Sequence, residues 1–506
     1  MHCFQSIHRQ VGRWQLKTGW FSAFLIASAL LGFSGWSHAA DRPNVVIILA
    51  DDLGYGDVGC YGATRIKTPN IDRLAADGRL FTQAYTPGSV CSPTRYGLIS
   101  GRYFWREPRH GATGVHAPGG PLLFDPERIT LARLFQKSGY TTAAIGKWHL
   151  GFGPGDSPKV RYDWSQEEIK PGPLEAGFDY FYGMAANVGN APRIYIENHR
   201  FVGRKPGDAV TMVGRADVQP WSPDAEYKPD HVAGDIAKKA VEFIERSKDK
   251  PFFLYFASNI THNEITPAAE SLGKSECGPY GDFVQELDRH VGEISGALSK
   301  AGVLDNTLIL FTSDNGGVVP KTENPHIGAQ WQARQAGHLT CGSLRGGKHS
   351  IYEGGFRVPF IVSWPGHVPA GTKSGSLICL TDVLATCAAV LGEKLPSGAG
   401  EDSFNALPAW EGKPDAVVRD SVVLDSSDGI FAVREGDWKL IEKNESFVGE
   451  GGKGKKPKAN PENENQLYNL AADPAESHNL WDEKPDVVKR LSGLLTAARD
   501  VDRTRP

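Results

Sequence analysis

Five short apolar runs constrain the fold of this chain more than any other feature. They are rich in β-branched and aromatic residues, are bounded by polar residues or glycine, and occupy residues 44–50, 141–145, 252–257, 308–312 and 358–363. Such runs are typical of strands buried on both faces of a parallel sheet. Helical patterns lie between them, at residues 69–76, 230–247 and 282–301. This alternation predicts an α/β fold in which helices flank a large, mostly parallel sheet.

The pattern changes near residue 400. Residues 395–416 are rich in glycine, proline, serine and aspartate and predict a connector. Short antiparallel strands are predicted beyond it, at residues 421–424, 429–433 and 438–442. A polar loop over 450–464 and an amphipathic helix over 485–499 complete the chain. We therefore expect a main domain over residues 41–400 and a smaller α+β subdomain, with an antiparallel sheet and a terminal helix, over residues 401–506.

The first forty residues predict a signal peptide. Basic residues precede an uncharged apolar stretch over 21–36, and small residues at 37–40 suit a cleavage site. The apolar stretch is shorter than the roughly 20 residues that a membrane span needs. An uncleaved N-terminal anchor is the alternative. We expect an exported protein, periplasmic or extracellular, with no stable membrane insertion after cleavage of residues 1–40.

The charge balance bears on binding partners, and the cysteine count bears on disulfides. The chain has 55 lysine and arginine residues against 59 aspartate and glutamate residues, so no basic excess favours nucleic acid as a partner. Of the seven cysteines, Cys3 leaves with the signal peptide, which leaves six. In an exported protein these six could form three disulfides. If one of them is chemically special, five remain, and at least one of those is a free thiol.

Oxygen-bearing side chains follow two of the predicted strands. Asp51 and Asp52 come directly after the first strand, and Asp314 and Asn315 come after the fourth. In parallel sheets ligands bind at the carboxyl ends of the strands, where these loops meet. Three crowded carboxylates repel one another unless a cation lies between them, and oxygen-only ligands favour Ca²⁺ or Mg²⁺ over zinc. Each pair alone is also consistent with a helix cap or a turn, but together they predict a metal site.

Basic side chains lie at the same predicted edge. Lys147 and His149 follow the second strand, His262 follows the third, and Lys348 lies shortly before the fifth. Histidines in this position suit acid–base catalysis. Cations next to a metal suit a polyanionic group such as sulfate or phosphate. Each of these residues alone is equally consistent with an ordinary surface or core side chain.

Cys91 lies at the predicted start of a helix. Ser92 is a suitable N-cap and Pro93 a suitable first helical residue. Cys91 is therefore predicted beside a helix N-terminus, where the helix dipole stabilises anions. Together with Arg95, this predicts an anion site with a reactive side chain at its mouth.

The same segment carries a family resemblance. Cys91-x-Pro93-Thr94-Arg95-x-x-Leu98-x-x-Gly101-Arg102 resembles the first signature of the type I sulfatases, and residues 139–149 resemble the second. Further similar segments lie at residues 44–62, 313–316, 344–348 and 353–355, so the resemblance covers essentially the whole mature chain. It implies an alkaline phosphatase-like fold with a smaller C-terminal subdomain.

The resemblance also implies a modified residue. A formylglycine-generating maturation enzyme would read the Cys-x-Pro-x-Arg stretch and oxidise Cys91 to Cα-formylglycine. One hydroxyl of the hydrated aldehyde would attack sulfur and expel the alcohol, and deprotonation of the other would then expel sulfate and restore the aldehyde. A serine or a thiol lacks the second hydroxyl and could not complete that step.

The remaining site residues are assigned by the same resemblance. Asp51, Asp52, Asp314, Asn315 and residue 91 would hold Ca²⁺, with Mg²⁺ as the alternative. Further roles are implied for the basic residues: Arg95 orients the gem-diol, Lys147 and Lys348 bind sulfate oxygens, His149 acts as a base on residue 91, and His262 protonates the leaving oxygen, with Lys348 as a second donor. One departure concerns His262, because the family often has His-x-Pro where this chain has His262-Asn263-Glu264.

We therefore expect a sulfuric ester hydrolase of the arylsulfatase-like group. Its expected substrates are sulfated saccharides, because an exported enzyme meets polysaccharides. A phosphomonoester or phosphodiester hydrolase on the same fold is the enzymatic alternative, and an inactive protein that binds sulfated glycans is the alternative from another class. Substrate specificity is expected to depend on the loops at residues 183–206 and 320–339.

Overall fold

The computed structural model describes residues 42–109, 114–157, 159–213, 217–219, 222–414, 416–444 and 462–505. The predicted signal peptide over residues 1–40, and the predicted loop at 450–464 except for its last three residues, lie outside the described residues. Residues Arg42–Pro506 form one compact unit. The subdomain boundary near residue 400 stays a prediction.

The described part of the chain contains eighteen strands and ten α-helices. The strands are β1 (Asn44–Ala50), β2 (Arg79–Phe81), β3 (Ala84–Tyr85), β4 (Thr141–Lys147), β5 (Tyr180–Met184), β6 (Ile196–Glu197), β7 (Arg200–Phe201), β8 (Thr211–Val213), β9 (Asp217–Gln219), β10 (Phe252–Ala257), β11 (Thr307–Ser313), β12 (Phe360–Ser363), β13 (Thr372–Ser374), β14 (Ile378–Cys379), β15 (Ser421–Asp425), β16 (Phe431–Glu435), β17 (Trp438–Glu442) and β18 (Gln466–Asn469). The α-helices are α1 (Pro69–Ala76), α2 (Cys91–Ser100), α3 (Leu131–Lys137), α4 (Val232–Ser247), α5 (Gly278–Lys300), α6 (Gly328–Gln335), α7 (Glu353–Phe356), α8 (Val383–Val390), α9 (Leu407–Trp410) and α10 (Pro485–Asp500).

The main sheet has ten strands in the order β13-β2-β12-β11-β1-β10-β4-β5-β6-β7. Its centre, from β11 to β5, is parallel, as predicted. The predicted direction of the last run, 358–363, is wrong, because β12 pairs antiparallel with β11. No long helix carries the chain back across the sheet between β11 and β12, so β12 begins near the edge at which β11 ended.

Both faces of the sheet are covered. Along β1, Val45, Ile47 and Leu49 pack in one hydrophobic cluster, and Val46 and Ile48 pack in another on the opposite face. This alternation follows from the two-residue period of a strand. Helices α4 and α5 cover the second face with the apolar stripes that the sequence predicted.

The C-terminal strands form a separate antiparallel sheet in the order β15-β16-β17-β18. Three of these strands were predicted, and β18 was not. Leu491 and Leu495 of α10 are buried in the hydrophobic cluster of this sheet, which also includes Tyr85 of β3 and Phe356 of α7. Among the described residues, no helix is both long enough and apolar enough to cross a membrane.

Candidate active site

Three carboxylates meet at the carboxyl edge of the main sheet. The register of β1 and β11 pairs Ala50 with Ser313, so the loops that follow the two strands begin side by side. One oxygen from each of Asp51, Asp52 and Asp314 lies within 4.8 Å of the others, and all three side chains are buried. The predicted convergence of these residues is therefore present in the structure.

We call the side chains of Asp51, Asp52, Asp314 and Asn315 the carboxylate ring. Their oxygen atoms are suited to bind a cation. Nδ2 of Asn315 donates to Oδ1 of Asp52 over 2.8 Å, so the carbonyl end of that amide is left free. Among the described residues, Oδ1 of Asn315 and Oδ1 of Asp51 are buried without a hydrogen-bond partner. Buried polar atoms without partners are costly, and oxygen donors of this kind are those that Ca²⁺ and Mg²⁺ prefer.

A cationic side chain contacts each carboxylate. Nζ of Lys147 lies 2.6 Å from Oδ2 of Asp51, and Nζ of Lys348 lies 2.7 Å from Oδ2 of Asp52. The guanidinium group of Arg95 completes the set, with Nη2 2.7 Å from Oδ2 of Asp314. These contacts place the three predicted cations at one site, where they could also bind a polyanionic substrate.

The three carboxylates differ in pKa. Burial raises the pKa of each, but Lys147 and then His262 and Arg95 hold the pKa of Asp51 below its ordinary value. Lys348 and His262 have the same net effect on Asp52. The pKa of Asp314 is raised to about 7 by burial and by the charge of Asp51, although Arg95 opposes the change. One carboxylate of the ring thus resists ionisation until further positive charge is present.

Cys91 is the first residue of α2. The extended residue Val90 precedes the helix, so the predicted N-cap at Ser92 and first helical position at Pro93 are wrong. Oγ of Ser92 instead donates to the carbonyl of His149 over 3.1 Å and accepts from the main chain of His116, a tertiary role that local capping preferences do not reveal.

The thiol of Cys91 is buried beside the three carboxylates. Its sulfur, a carboxylate oxygen of Asp51 and a ring nitrogen of His262 all lie within 4.8 Å of one another. Burial raises the pKa of the thiol and outweighs the opposing effect of Lys147 and Lys348. The helix N-terminus alone therefore does not make Cys91 a thiolate. All six described cysteines are unpaired.

Two residues at the edge have left-handed backbone conformations. Asp52 has φ 62° and His149 has φ 59°, values that are uncommon outside glycine and often mark functional positions. Nδ1 of His149 is buried without a partner among the described residues. Burial, followed by Lys147 and Arg95, holds the pKa of His149 well below its ordinary value, so the ring is neutral near pH 7.

His262 faces the carboxylate ring through one nitrogen. Nδ1 donates to the carbonyl of Asn263, which leaves Nε2 3.9 Å from Oδ2 of Asp52. Burial lowers the pKa of His262 to about 4; the charge of Asp52 opposes this change, and the cations of Lys147 and Lys348 add to it. The imidazole is therefore neutral near pH 7 in the free protein.

Sequence reasoning missed the residue beside His262. The main-chain N–H of Thr261 donates to the carbonyl of Asp51, and Oγ1 donates to the carbonyl of Asp52 over 3.0 Å. Thr261 thereby ties the loop of His262 to the loop of the two aspartates. Its only sequence signal is its place next to a histidine that follows a buried strand.

A cleft of about 500 Å³ opens at His262. Parts of both loops for which specificity was predicted line it, together with the loop after β10. The lining residues are Asn187, Gly189, Asn190, His262, Asn263, Glu264, Ile265, Pro325, His326, Gly328, Ala329 and Gln330. A solvent-open cleft next to a candidate acid–base residue is suited to bind the leaving group of a substrate.

The mostly parallel sheet, its carboxylate edge and the smaller antiparallel sheet define an alkaline phosphatase-like hydrolase. The family model described as Sulfatase matches residues 43–393. The chain is 36% identical to an N-acetylgalactosamine-6-O-sulfatase of Bacteroides thetaiotaomicron, covering 91% of this chain and 94% of that protein. It is 32% identical to arylsulfatase A of Homo sapiens, covering 94% and 91% respectively. The chain therefore belongs to the sulfatase family and is a sulfuric ester hydrolase.

Structural similarity agrees with this assignment. A solved structure from work on glycosaminoglycan metabolism by Bacteroides thetaiotaomicron has a TM-score of 0.82 to this chain at 34% sequence identity, covering 91% of this chain and 100% of the other. The predicted class of enzyme and the predicted fold are confirmed.

Proposed function

We propose that this sulfatase releases sulfate from sulfated saccharides, with Ca²⁺ held at the carboxylate ring and with Cys91 converted to Cα-formylglycine. The observation that carries the proposal is the ring itself, in which Oδ1 of Asp51 and Oδ1 of Asn315 are buried without partners among the described residues. A carboxylate oxygen of Asp51 also lies within 4.8 Å of the sulfur of Cys91. The saccharide substrate is supported by the name of a relative, an N-acetylgalactosamine-6-O-sulfatase.

Asp51, Asp52, Asp314, Asn315 and residue 91 would hold the cation, with Mg²⁺ as the alternative ion. When bound, Ca²⁺ would polarise sulfate oxygens and stabilise an ionised hydroxyl. The cation would also add positive charge beside Asp314. The raised pKa of Asp314 indicates that this charge is lacking without the cation.

Two lysines suit the sulfate group. Nζ of Lys147 and Nζ of Lys348 each contact one carboxylate oxygen of the ring, and each retains donors for sulfate oxygens because an ammonium group carries three. Their positive charges would stabilise the charge that builds on sulfate oxygens during transfer.

Residue 91 would supply the nucleophile. As formylglycine its hydrated aldehyde offers one hydroxyl for attack on sulfur and a second whose deprotonation releases sulfate. Arg95 would orient this group from the adjacent turn of α2, because its guanidinium is fixed by Asp314 and by the carbonyl of Lys147, 3.0 Å away. The neutral ring of His149 would accept the proton of the second hydroxyl at a ring nitrogen.

The leaving oxygen needs a proton donor. His262 is suited by position, since its Nε2 lies 3.9 Å from Oδ2 of Asp52 and the residue lines the cleft. Burial and the charges of Lys147 and Lys348 lower its pKa to about 4, so an anionic substrate that offsets these charges would favour its protonation. Lys348 would be a second proton donor to the leaving oxygen, because its Nζ contacts the same carboxylate, Asp52.

We also propose how the protein is exported and processed. Residues 1–40 would direct export and be removed, the mature enzyme would act in the periplasm or outside the cell, and residues 401–506 would form the C-terminal subdomain. A formylglycine-generating enzyme would act on residue 91 before the chain folds, because Cys91 is buried in the folded protein.

Sulfate release from defined saccharides tests this function. We expect the purified enzyme, co-expressed with a formylglycine-generating enzyme, to release sulfate from N-acetylgalactosamine 6-O-sulfate. Aryl sulfate and aryl phosphate serve as the paired comparison, with turnover of the sulfate expected to exceed that of the phosphate. Activity on aryl sulfate without release from any sulfated saccharide would contradict the proposed substrate class.

A further inference from the structure

The cleft at His262 differs in charge from the carboxylate edge that it adjoins. At that edge Lys147, Lys348 and Arg95 are available to an anion. Among the described residues that line the cleft there is no lysine or arginine, and Glu264 is the one carboxylate. An anionic group is therefore stabilised at one end of this continuous site and repelled at the other.

The cleft has a defined wall. Oδ1 of Asn263 accepts a hydrogen bond from Nε2 of Gln330 over 2.8 Å, and Nδ2 of Asn263 donates to the carbonyl of His326. These contacts join the loop that carries His262 to the start of α6. Gln330 is 2% exposed, so the wall is anchored in the protein and does not depend on surface side chains alone.

Glu264 and Gly189 both line the cleft. Gly189 lies next to this carboxylate, and a Cβ added there would lie 3.5 Å from Oε1 of Glu264. The side chain of Glu264 is exposed, and a carboxylate accepts hydrogen bonds without donating any. A ligand that meets Glu264 must therefore offer hydroxyl or amide N–H donors.

We propose that the cleft binds the sugar ring that carries the scissile sulfate, and that Glu264 is a specificity-determining residue that accepts hydrogen bonds from neutral donors of this ring. The same carboxylate disfavours a sugar with a second anionic substituent facing the cleft. The inference rests on the proposed saccharide sulfatase function and adds to it a preference for monosulfated over disulfated sugars.

Two substrates and one isosteric variant test the charge argument. The wild-type enzyme is expected to have a kcat/KM at least about tenfold higher for N-acetylgalactosamine 6-O-sulfate than for N-acetylgalactosamine 4,6-di-O-sulfate, because like charges in a binding site cost at least about 1.4 kcal/mol. Glu264→Gln should raise KM for the monosulfated sugar and reduce this preference. Glu393→Gln is the matched control, since Glu393 is exposed but lies outside the cleft lining and outside both loops predicted to determine specificity.

A second variant tests the location without changing charge. Gly189→Leu should raise KM for N-acetylgalactosamine 6-O-sulfate about tenfold or more, because its side chain enters the cleft from backbone that can accept a Cβ. Unchanged KM in both Glu264→Gln and Gly189→Leu, or equal wild-type kcat/KM on the two sugars, would overturn the inference. Failure of the proposed function is a different result, namely no sulfate release by the wild-type enzyme from either sugar.

Discussion

Nζ of Lys147 lies 2.6 Å from Oδ2 of Asp51, and both side chains are fully buried. Lys147 ends β4 and Asp51 follows β1, so the pair bridges the end of β10, which lies between these strands. A buried lysine and a buried carboxylate are each costly alone, and contact offsets part of that cost. The pair therefore keeps a charged carboxylate in the ring that is proposed to hold the metal.

Removal of one carboxylate tests the metal site. Asp314→Ala should lose most Ca²⁺ affinity and most activity, because one of few anionic ligands is gone. Isothermal titration of the metal-free protein with Ca²⁺ measures the affinity directly. Asp305→Ala, in the exposed turn before β11, should bind Ca²⁺ as the wild type does. Full wild-type activity in excess chelator would show that the metal assignment is wrong.

Cys91→Ala tests the modified nucleophile. The variant should be inactive but folded, with a far-UV circular dichroism spectrum like that of the wild type. In active wild-type protein, mass spectrometry of the tryptic peptide 80–95 should show an aldehyde oxygen in place of sulfur, and the peptide should react with a hydrazide. Cys60→Ala is the control and should keep both aldehyde and activity. A fully active preparation with only thiol or disulfide at residue 91 would contradict the mechanism.

The two histidines should have separable effects. His149→Ala and His262→Ala are each expected to lower kcat by about 10²–10⁴-fold, the usual range for an acid or base. Loss of a proton donor matters most when the leaving group is a poor one. The loss in His262→Ala should therefore be larger for a sugar sulfate than for a nitrophenyl sulfate, whereas that in His149→Ala should be similar for both. Intact turnover of the sugar sulfate by His262→Ala would exclude His262 as the proton donor.

Acid should destabilise the protein through a buried histidine on α5. Burial, with a smaller effect of Arg289, lowers the pKa of His290 from 6.5 to about 3. At a pH between these two pKa values, this histidine is protonated in the unfolded chain and neutral in the folded protein. The free energy of unfolding therefore falls as pH decreases. The contribution of one such group to the free energy of unfolding is about 1.4 kcal/mol per pH unit.

Urea unfolding at pH 7 and pH 5 measures this dependence. His290→Gln should have a shallower loss of stability on acidification than the wild type, by roughly the slope of one proton. His231→Gln is the control, because His231 is exposed in the folded protein. Equal slopes for the wild type and His290→Gln would contradict the assignment.

The C-terminal sheet is joined to the loop of Lys348 by buried charges. Nζ of Lys439 on β17 lies 3.2 Å from Oε1 of Glu353 on α7 and 2.8 Å from Oε1 of Glu476. Lys439→Met leaves two buried carboxylates without this cation and should lower the free energy of unfolding by about 3–5 kcal/mol. Lys394→Met, at an exposed site, should change it by less than about 0.5 kcal/mol. Chemical denaturation measures both values, and a Lys439→Met variant as stable as the control would refute the prediction.

The sequence by itself determined the class of fold and predicted the residues of the candidate site. Runs such as 252–257 follow from local composition, and helices such as Pro69–Ala76 follow from local periodicity and from a proline at the first helical position. Asp51, Asp314 and His149 were identified because parallel strands bring their following loops to one edge. The resemblance around Cys91 supplied the expected chemistry.

Only the tertiary structure decided how these residues pair. The direction of β12 depends on the long connection after β11, and the role of Ser92 depends on its contact with His149, so neither is encoded in a local pattern. The cleft beside Glu264 likewise forms from three segments far apart in the chain. Periodicity specifies which face of an element is buried, whereas the partner of each polar side chain depends on sheet order and loop path, which emerge only when the whole chain packs.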